Sequence, residues 1–230
     1  MPNRSYNQLC GLAYALDVVG ERWTMLIIRE LMAGPRRFKD LMDGLPDIST
    51  NLLTERLKEL EEKGVLRRRV LPPPAGSTVY ELTSVGYALK KTLLELGKWG
   101  SQFVPASMEG VHVLHVGSYA LTPQTFFRSE LAQGIDETYA LHIGDEVQQV
   151  RIVDGAICVQ QGEPAKADMA LYTEVPIYLG LLIGQIEPGA ALANGLIRLK
   201  GDLATLRRFL KLCGMPDPPQ VVDVATATSA

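Results

Sequence analysis

Positive charge is densest in a short run where Arg67, Arg68 and Arg69 are followed, after two residues, by three prolines. Arginine side chains bind phosphate oxygens through charge and paired hydrogen bonds. Neighbouring residues of a strand point to opposite faces, so one or two of these arginines can reach phosphates while another pairs with a carboxylate of a nearby helix. The run predicts contact with a phosphate backbone, with Arg67, Arg69, Ser77 and Thr78 as candidates.

A second polar group begins an amphipathic segment in which Leu53, Leu57 and Leu60 form one apolar stripe. Small polar side chains at the exposed tip of a helix can enter a groove and contact base edges, although a solvated surface has a similar composition. Asn51 can pair with adenine or can instead cap the helix. The candidates for the groove are Ser49, Thr50, Asn51 and Thr54, and those for the DNA backbone are Arg36, Arg37, Lys39 and Lys58.

No pattern in the sequence indicates catalysis or a metal centre. The glycine-rich nucleotide-binding loops and the Gly-x-Ser-x-Gly elbow are absent. The three cysteines lack Cys-x-x-Cys spacing, which argues against structural zinc and a disulfide framework. His112 and His115 lie on an extended stretch without a third ligand, and His142 alternates with apolar residues. The sequence therefore predicts no enzyme, no cofactor and no metal site.

Apolar spacing places the polar candidates on a helical domain with a β-hairpin. The elements are predicted as helices over 6–19, 21–33, 37–43, 49–63 and 84–103, and as strands over 65–71 and 79–83. Ser49 is the predicted N-cap of the fourth helix. A hairpin directly after a polar-tipped helix is the arrangement of a winged helix, and the prolines stiffen its loop. The wide apolar stripes of the first and fifth helices predict a homodimer interface.

These residues resemble a known family along most of the first half. The shared segments are Cys10, Leu16–Leu31, Arg37–Leu41, Ile48–Leu66, Arg68, Val79–Gly86 and Trp99. Residues 7–100 resemble the HxlR family of bacterial winged-helix transcriptional regulators. The resemblance implies a homodimer held by the first and fifth helices, a recognition helix at Ser49–Lys63 and a wing at Leu66–Leu82. In some members the N-terminal cysteine senses oxidants or electrophiles, and Cys10 occupies that place; the alternative is a small packed residue.

The charge balance changes sign between the two halves of the 230-residue chain. Residues 1–100 hold 15 Lys+Arg and 12 Asp+Glu, whereas residues 101–230 hold 8 and 14. This asymmetry predicts a basic half that meets a polyanion and an acidic half with another role. The predicted domains are 1–100, a linker at 101–110, a second domain at 111–213 and a disordered tail at 214–230. The start of the chain lacks a secretion signal, so a cytoplasmic protein without membrane contact is expected.

The second half alternates helical and strand patterns. Helices are predicted over 122–133, 177–186, 190–195 and 202–213, and strands over 139–143, 147–153, 156–160, 167–173 and 196–200. Asp154-Gly155 is a two-residue hairpin signal. The predicted fold class is α+β, in which a mainly helical winged helix-turn-helix precedes an α/β domain with a mixed sheet.

The nearly all-apolar helix at 177–186 is either a core helix or the wall of an apolar ligand cavity. The segments Val150–Gly155, Gly162, Ala167–Tyr172, Leu179–Gly184, Pro188, Ala191 and Gly195–Asp202 are similar to a sterol carrier protein type 2 domain. The resemblance implies a tunnel for sterols, fatty acids or acyl-CoA. No basic patch for a phosphate-bearing headgroup is evident, since Arg198 and Lys200 alternate with core leucines. The predicted ligand-binding residues are Phe126, Phe127, Leu131, Leu141, Ile152, Met169, Leu171, Tyr178, Leu182 and Ile186.

Three functions are compatible with these patterns. The first is a homodimeric regulator that binds double-stranded DNA and responds to an apolar or lipid-like effector. The second is a redox-sensing regulator that uses Cys10 and has a structural second domain. The third is a lipid carrier or lipid-acting protein, which the basic wing disfavours.

Overall fold

The computed structural model describes residues 5–72, 76–103 and 119–215. Part of the proline loop, most of the predicted linker and tail, and both His112 and His115 lie outside the described residues. The described chain forms two compact units. The N-terminal unit contains residues up to 93 together with 119–121, and the C-terminal unit contains 94–103 and 122–215. The boundary between the units thus falls before the predicted end of the first domain at residue 100.

The N-terminal unit follows the predicted order of helices and hairpin. Its elements, with the helix that leads out of it, are α1 (Gly11–Val19), α2 (Thr24–Met32), α3 (Phe38–Gly44), α4 (Thr50–Glu62), β1 (Leu66–Val70), β2 (Thr78–Leu82), α5 (Ser84–Ala88) and α6 (Lys90–Gly100). The first helix begins five residues later than predicted, because Cys10 is extended and takes the N-cap position. The fifth predicted helix is broken at Leu89, whose N–H bonds to the oxygen of Gly86 in a tighter turn.

A leucine-rich core positions α4 and the hairpin. Leu53, Leu57 and Leu60 are buried on one side of α4, as their spacing predicts. Ser49 caps α4, since its hydroxyl accepts a hydrogen bond from the N–H of Leu52 at 3.3 Å. Strands β1 and β2 are antiparallel, from the pair Leu66–Leu82 to the pair Val70–Thr78. Helix-turn-helix and wing are therefore both present.

The C-terminal unit is a five-stranded mixed sheet with helices. Its elements are α7 (Thr122–Thr125), β3 (Asp136–Ile143), β4 (Glu146–Val153), β5 (Ala156–Gln161), β6 (Met169–Thr173), α8 (Val175–Leu182), α9 (Pro188–Ala193), β7 (Ile197–Lys200) and α10 (Leu203–Cys213). The strand order is β5-β4-β3-β6-β7, with only β3 and β6 parallel among the sheet's pairs. Asp154 and Gly155 have φ values of 44° and 79°, as a primed hairpin turn requires. None of the helices within the described ranges is long and apolar enough to span a bilayer.

One face of this sheet forms the core of the C-terminal unit. Tyr139, Leu141 and Leu171 share that face through the β3–β6 register, and all three are fully buried. Phe209 of α10 lies against Tyr139, with ring centroids 4.9 Å apart. Because α10 covers this face, the opposite face of the sheet is left for other contacts.

Candidate functional site

The amino-terminal end of α4 presents a small polar surface. Ser49, Thr50, Asn51 and Thr54 are exposed, opposite the leucine stripe. The Thr54 hydroxyl donates to the backbone oxygen of Thr50 at 2.8 Å, which leaves its lone pairs available as acceptors. Ser49 is the N-cap, and no described residue hydrogen-bonds the side-chain amide of Asn51. The amide therefore has both donor and acceptor atoms free to contact a base edge.

The predicted phosphate contacts near this tip differ in exposure. Arg37, Lys39 and Lys58 are exposed, and Arg37 also pairs with Asp40 at 2.8 Å. Arg36 is different, because its side chain is buried. Its backbone N–H and carbonyl pair with Tyr80 of β2 at 3.0 and 2.8 Å, which fixes the chain beneath the wing. The burial of Arg36 removes it from the set of residues that can reach DNA, a position that its charge in the sequence did not reveal.

A single carboxylate orients two wing arginines. Arg67 and Arg69 each approach a different oxygen of Glu81 on the paired strand, both at 2.8 Å. Burial raises the pKa of Glu81, but the hydrogen bonds from Arg69 and Arg67 outweigh it, so this pKa lies below its usual range. Both guanidinium groups remain substantially exposed. We call these three residues the wing fork; it carries a net charge of one positive and still offers free N–H donors.

Arg68 has a different role from its neighbours. Its side chain points to the other face of β1 and pairs with Glu61 of α4 at 2.7 Å. The hydrogen bond from Arg68 lowers the pKa of Glu61. This is the arginine–carboxylate pair that strand alternation predicts, and it ties the wing to the helix with the polar tip. Of the remaining predicted wing contacts, Thr78 is exposed and Ser77 is half-buried.

Cys10 is an exposed thiol at the amino end of α1. The backbone N–H groups of Ala13 and Leu12 lower the pKa of the thiol. Helix amino ends favour a thiolate for this reason. By contrast, burial raises the pKa of Cys213 to about 12.

The helices predicted to form a dimer interface keep large apolar side chains in solvent. On α1 and just before it, Leu9 is 98% and Leu12 is 69% exposed. On α6, Leu96 and Trp99 are exposed, and no residue of that helix is buried. Apolar surface of this kind is typical of helices that are covered by a partner.

An open cavity of about 530 Å³ lies between α8, the segment that follows it and α10. Three predicted ligand-binding residues line it: Leu131, Leu182 and Ile186. The others do not line this cavity. Leu141, Ile152, Met169, Leu171 and Tyr178 are core residues, Phe126 is also buried and Phe127 is half-buried. At these positions the side chains fill the packed core of the C-terminal unit.

Three basic residues line this cavity, and no local pattern in the sequence indicated that they would meet. They are Arg128, Arg207 and Lys211, which come from separate parts of the chain. Arg207 pairs with Glu187 at 2.7 Å, and this guanidinium together with the N–H groups of Gly189 and Ala190 lowers the pKa of Glu187 to about 2. Arg128 lies next to Lys211, because its guanidinium donates a hydrogen bond to the backbone oxygen of Lys211 at 2.6 Å. An apolar cavity with a basic rim suits an amphipathic anion.

Comparison with known proteins identifies the family of the N-terminal unit. Residues 18–108 match the model of the HxlR-like helix-turn-helix family. The HTH-type transcriptional regulator YodB from Bacillus subtilis (strain 168) is 42% identical over 98 residues, which are 42% of this chain and 88% of that protein. The chain belongs to the HxlR-like helix-turn-helix family. A second relative, the uncharacterized HTH-type transcriptional regulator YvaP from the same organism, is 40% identical over 40% of this chain and 86% of its own.

Solved structures of similar proteins also match less than half of this chain. The reduced form of YodB is 40% identical, covering 44% of this chain and 99% of that chain with a TM-score of 0.38. The redox regulator HypR in its oxidized form is 29% identical over 42% of this chain and all of its own, with a TM-score of 0.39. Residues 123–214 match the model of the SCP-2 sterol transfer family. Both resemblances predicted from the sequence are confirmed, and the chain joins an HxlR-like transcriptional regulator to an SCP-2-like domain.

Proposed function

We propose that this regulator is a homodimer that reads a specific DNA sequence and is controlled by an amphipathic anion held in the C-terminal unit. The observation that carries the DNA-binding part is the pairing of an exposed polar helix tip with a basic wing that Arg68 and Glu61 link to the same helix. In this arrangement α4 enters the major groove by its amino end, and the wing contacts the flanking backbone.

Each contact has a distinct role in this proposal. Asn51 pairs with an adenine edge, because its amide is exposed and free, while Thr50 and Thr54 contact neighbouring base edges. Arg37, Lys39 and Lys58 together with the wing fork bind phosphates, which positions the helix without reading sequence. Ser49, Ser77 and Thr78 add hydroxyl contacts.

The exposed apolar side chains of α1 and α6 support the homodimer. Leu12 of α1 and Trp99 of α6 are exposed to water, and the exposure of such apolar surface is unfavourable. In the proposed dimer, the second copy covers these side chains. A dimer presents two copies of α4, so the DNA site should contain two inverted half-sites about one helical turn apart. Since the unit boundary falls within α6, the chain passes directly from the proposed dimer element into the effector domain.

The cavity between α8 and α10 supports control by a ligand. Its apolar lining holds an acyl or similar body, and Arg128, Arg207 and Lys211 hold an anionic end. A ligand changes DNA affinity only to the extent that it binds one dimer geometry better than another. The basic residues of the rim favour a lipid that ends in a carboxylate over a neutral lipid.

Selection of binding sites from a random duplex pool with the full-length protein tests the DNA-binding part. The selected sites should be inverted repeats, and Asn51→Ala should relax discrimination at one position per half-site by about 1–3 kcal/mol. Asn194→Ala is the matched control, because Asn194 is an exposed asparagine in the C-terminal unit. Selected sequences without symmetry, or unchanged specificity in Asn51→Ala, would contradict the proposal.

Anisotropy measurements on the selected duplex test the effector part. Palmitate should change DNA affinity, and hexadecanol, which lacks the charge, should act more weakly. Arg207→Gln should reduce the palmitate response while leaving DNA binding without ligand unchanged. If palmitate binds but DNA affinity stays constant, the cavity has no regulatory role even though the DNA-binding proposal stands.

A second candidate is regulation by oxidation of Cys10. It is favoured by the exposure of the thiol and by the lowered pKa that the backbone N–H groups of Ala13 and Leu12 cause. Treatment with diamide should then alter DNA affinity in the wild type and have no effect in Cys10→Ser. An equal response of both proteins would exclude this role.

A further inference from the structure

The face of the sheet opposite α10 carries a second cavity of about 400 Å³. Its floor includes Ala140 of β3 and Ala170 of β6, which are directly paired in the parallel register. These two alanines are 2% and 9% exposed, so the floor consists of methyl groups that are largely shielded from water. Residues Glu163, Pro164, Ala167 and Asp168 of the β5–β6 connection line the same cavity. The cavity thus lies between the alanine row of the sheet and this connection, and we call it the slot.

A ladder of three side chains crosses the sheet here, and two of them, His142 and Tyr172, line the slot. His142, Tyr172 and Arg198 are directly paired across β3, β6 and β7. The rings of His142 and Tyr172 are stacked, with centroids 4.1 Å apart and planes 14° apart, and the Arg198 guanidinium carbon lies 4.1 Å from the Tyr172 centroid. Because β6 lies between the other two strands, both faces of the Tyr172 ring are covered. Only its electropositive edge can contact a ligand, and such an edge attracts anions.

The two ends of the slot carry opposite charges. Lys200 extends the alanine row, since it pairs with Ala170. Its ammonium lies 5.5 Å from the Tyr172 centroid and has no ion pair with a carboxylate among the described residues. At the other end, an oxygen of Glu163 lies 3.3 Å from Nε2 of His142. Asp168 also lines the slot, but its carboxylate accepts the N–H of Thr138 at 2.7 Å. Lys200 lines the slot, whereas Arg198 does not, so Lys200 is the cation that an anionic ligand in the slot can contact.

Gly201 lines the slot next to Lys200. It has a φ of 111°, and a Cβ there would lie 2.8 Å from the backbone oxygen of Asp168. This close approach of two backbones places Lys200 beside the slot. Three adjacent strands span about 10 Å, which suits a short ligand and excludes an extended acyl chain.

We propose that this slot is a second ligand site, which binds a small carboxylate with a flat apolar body. The carboxylate contacts Lys200, and the flat body lies on the methyl groups of Ala140 and Ala170 along the edge of Tyr172. The site is on the opposite face of the sheet from the α8–α10 cavity and differs from it in the ligand it takes. It does not depend on the proposed control of DNA binding.

Calorimetric titration of the full-length protein with benzoate tests the site, and benzamide is the uncharged ligand of nearly the same shape. Benzoate should bind and benzamide should not. Lys200→Gln should weaken benzoate binding by about tenfold or more, as expected for loss of a charge-assisted contact. Glu163→Gln should strengthen it by about threefold, because a like charge is removed from the far end of the slot.

Arg207→Gln separates this slot from the basic cavity on the other face. It should leave benzoate affinity unchanged, because Arg207 lies at the α8–α10 cavity. The proposal is overturned if benzoate does not bind at millimolar concentration. It is also overturned if benzamide binds equally well, or if Arg207→Gln rather than Lys200→Gln removes binding.

Discussion

The wing fork provides the sharpest test of how this protein would contact DNA. Arg67 and Arg69 share one side of β1 and one carboxylate, whereas Arg68 lies on the other side and pairs with Glu61. The double variant Arg67→Gln/Arg69→Gln should therefore lose two phosphate contacts per subunit. Arg68→Gln removes the same charge from the next position and should lose none.

The expected size follows from counterion release. Each neutralised phosphate contributes about 0.9 to the slope of log K against log salt, so two contacts contribute about 1.8 per half-site. Between about 50 and 200 mM salt, the affinity of a wild-type half-site should fall about twelvefold more than that of the double variant. Fluorescence anisotropy with one DNA duplex over this salt range measures both slopes.

Two controls keep this test interpretable. The double variant leaves Glu81 without its partners, so the triple variant with Glu81→Gln is measured as well, and thermal unfolding checks that each protein is folded. Arg68→Gln should keep the wild-type salt slope and lose at most about 1 kcal/mol of stability, because its pair with Glu61 is largely exposed. A slope change in Arg68→Gln equal to that of the double variant would refute the assignment of faces.

Three further predictions concern single groups. Iodoacetamide should alkylate Cys10 well before Cys213, as peptide mass spectrometry can show, because the Cys10 thiol is exposed with a lowered pKa and burial raises the pKa of Cys213 to about 12; equal rates would contradict this. The carboxyl of Glu187 has a pKa of about 2 in place of its usual 4.5. Its ionised form therefore stabilises the fold fully above about pH 4.5, and this stabilisation is lost as the pH falls to about 2. The melting-temperature difference between wild type and Glu187→Gln should accordingly vanish at the acid end, and a difference independent of pH would oppose the reasoning. Gly86→Ala should cost about 1–3 kcal/mol in denaturant unfolding, since the new Cβ would lie 2.3 Å from the backbone oxygen of Val65; an unchanged midpoint would mean that the backbone there can shift freely.

Local patterns in the sequence predicted the elements that carry the polar tip and the wing. Leucine spacing located α4, Ser49 identified its start, and strand alternation separated Arg68 from its neighbours. Each of these depends on residues close together in the chain, where helical or strand geometry determines the direction of a side chain. The same reasoning found the primed turn at Asp154.

Features that depend on distant contacts could not be predicted in this way. Arg36 is charged and follows a turn, but its pairing with Tyr80 of β2 places it under the wing. Arg128 and Lys211 lie far apart in the sequence and meet only because α10 returns beside the segment that contains Arg128. Alternation with core leucines shows that Lys200 points away from them, but only the sheet register shows that it lies on the face opposite the apolar cavity and beside a second one.

The parallel pairing of β3 with β6 has a consequence for how the C-terminal unit folds. Strands β3, β4 and β5 pair with their neighbours in sequence, so this meander can form early from local contacts. Strand β6 adds to β3 only after the chain has closed a long loop, which is a slower event. Until then β3 is an unpaired edge whose apolar residues include Leu141 and Ile143. We therefore expect the C-terminal unit to pass through an aggregation-prone intermediate while it folds. The refolding yield should accordingly fall as the protein concentration rises, even under conditions in which the folded unit is stable.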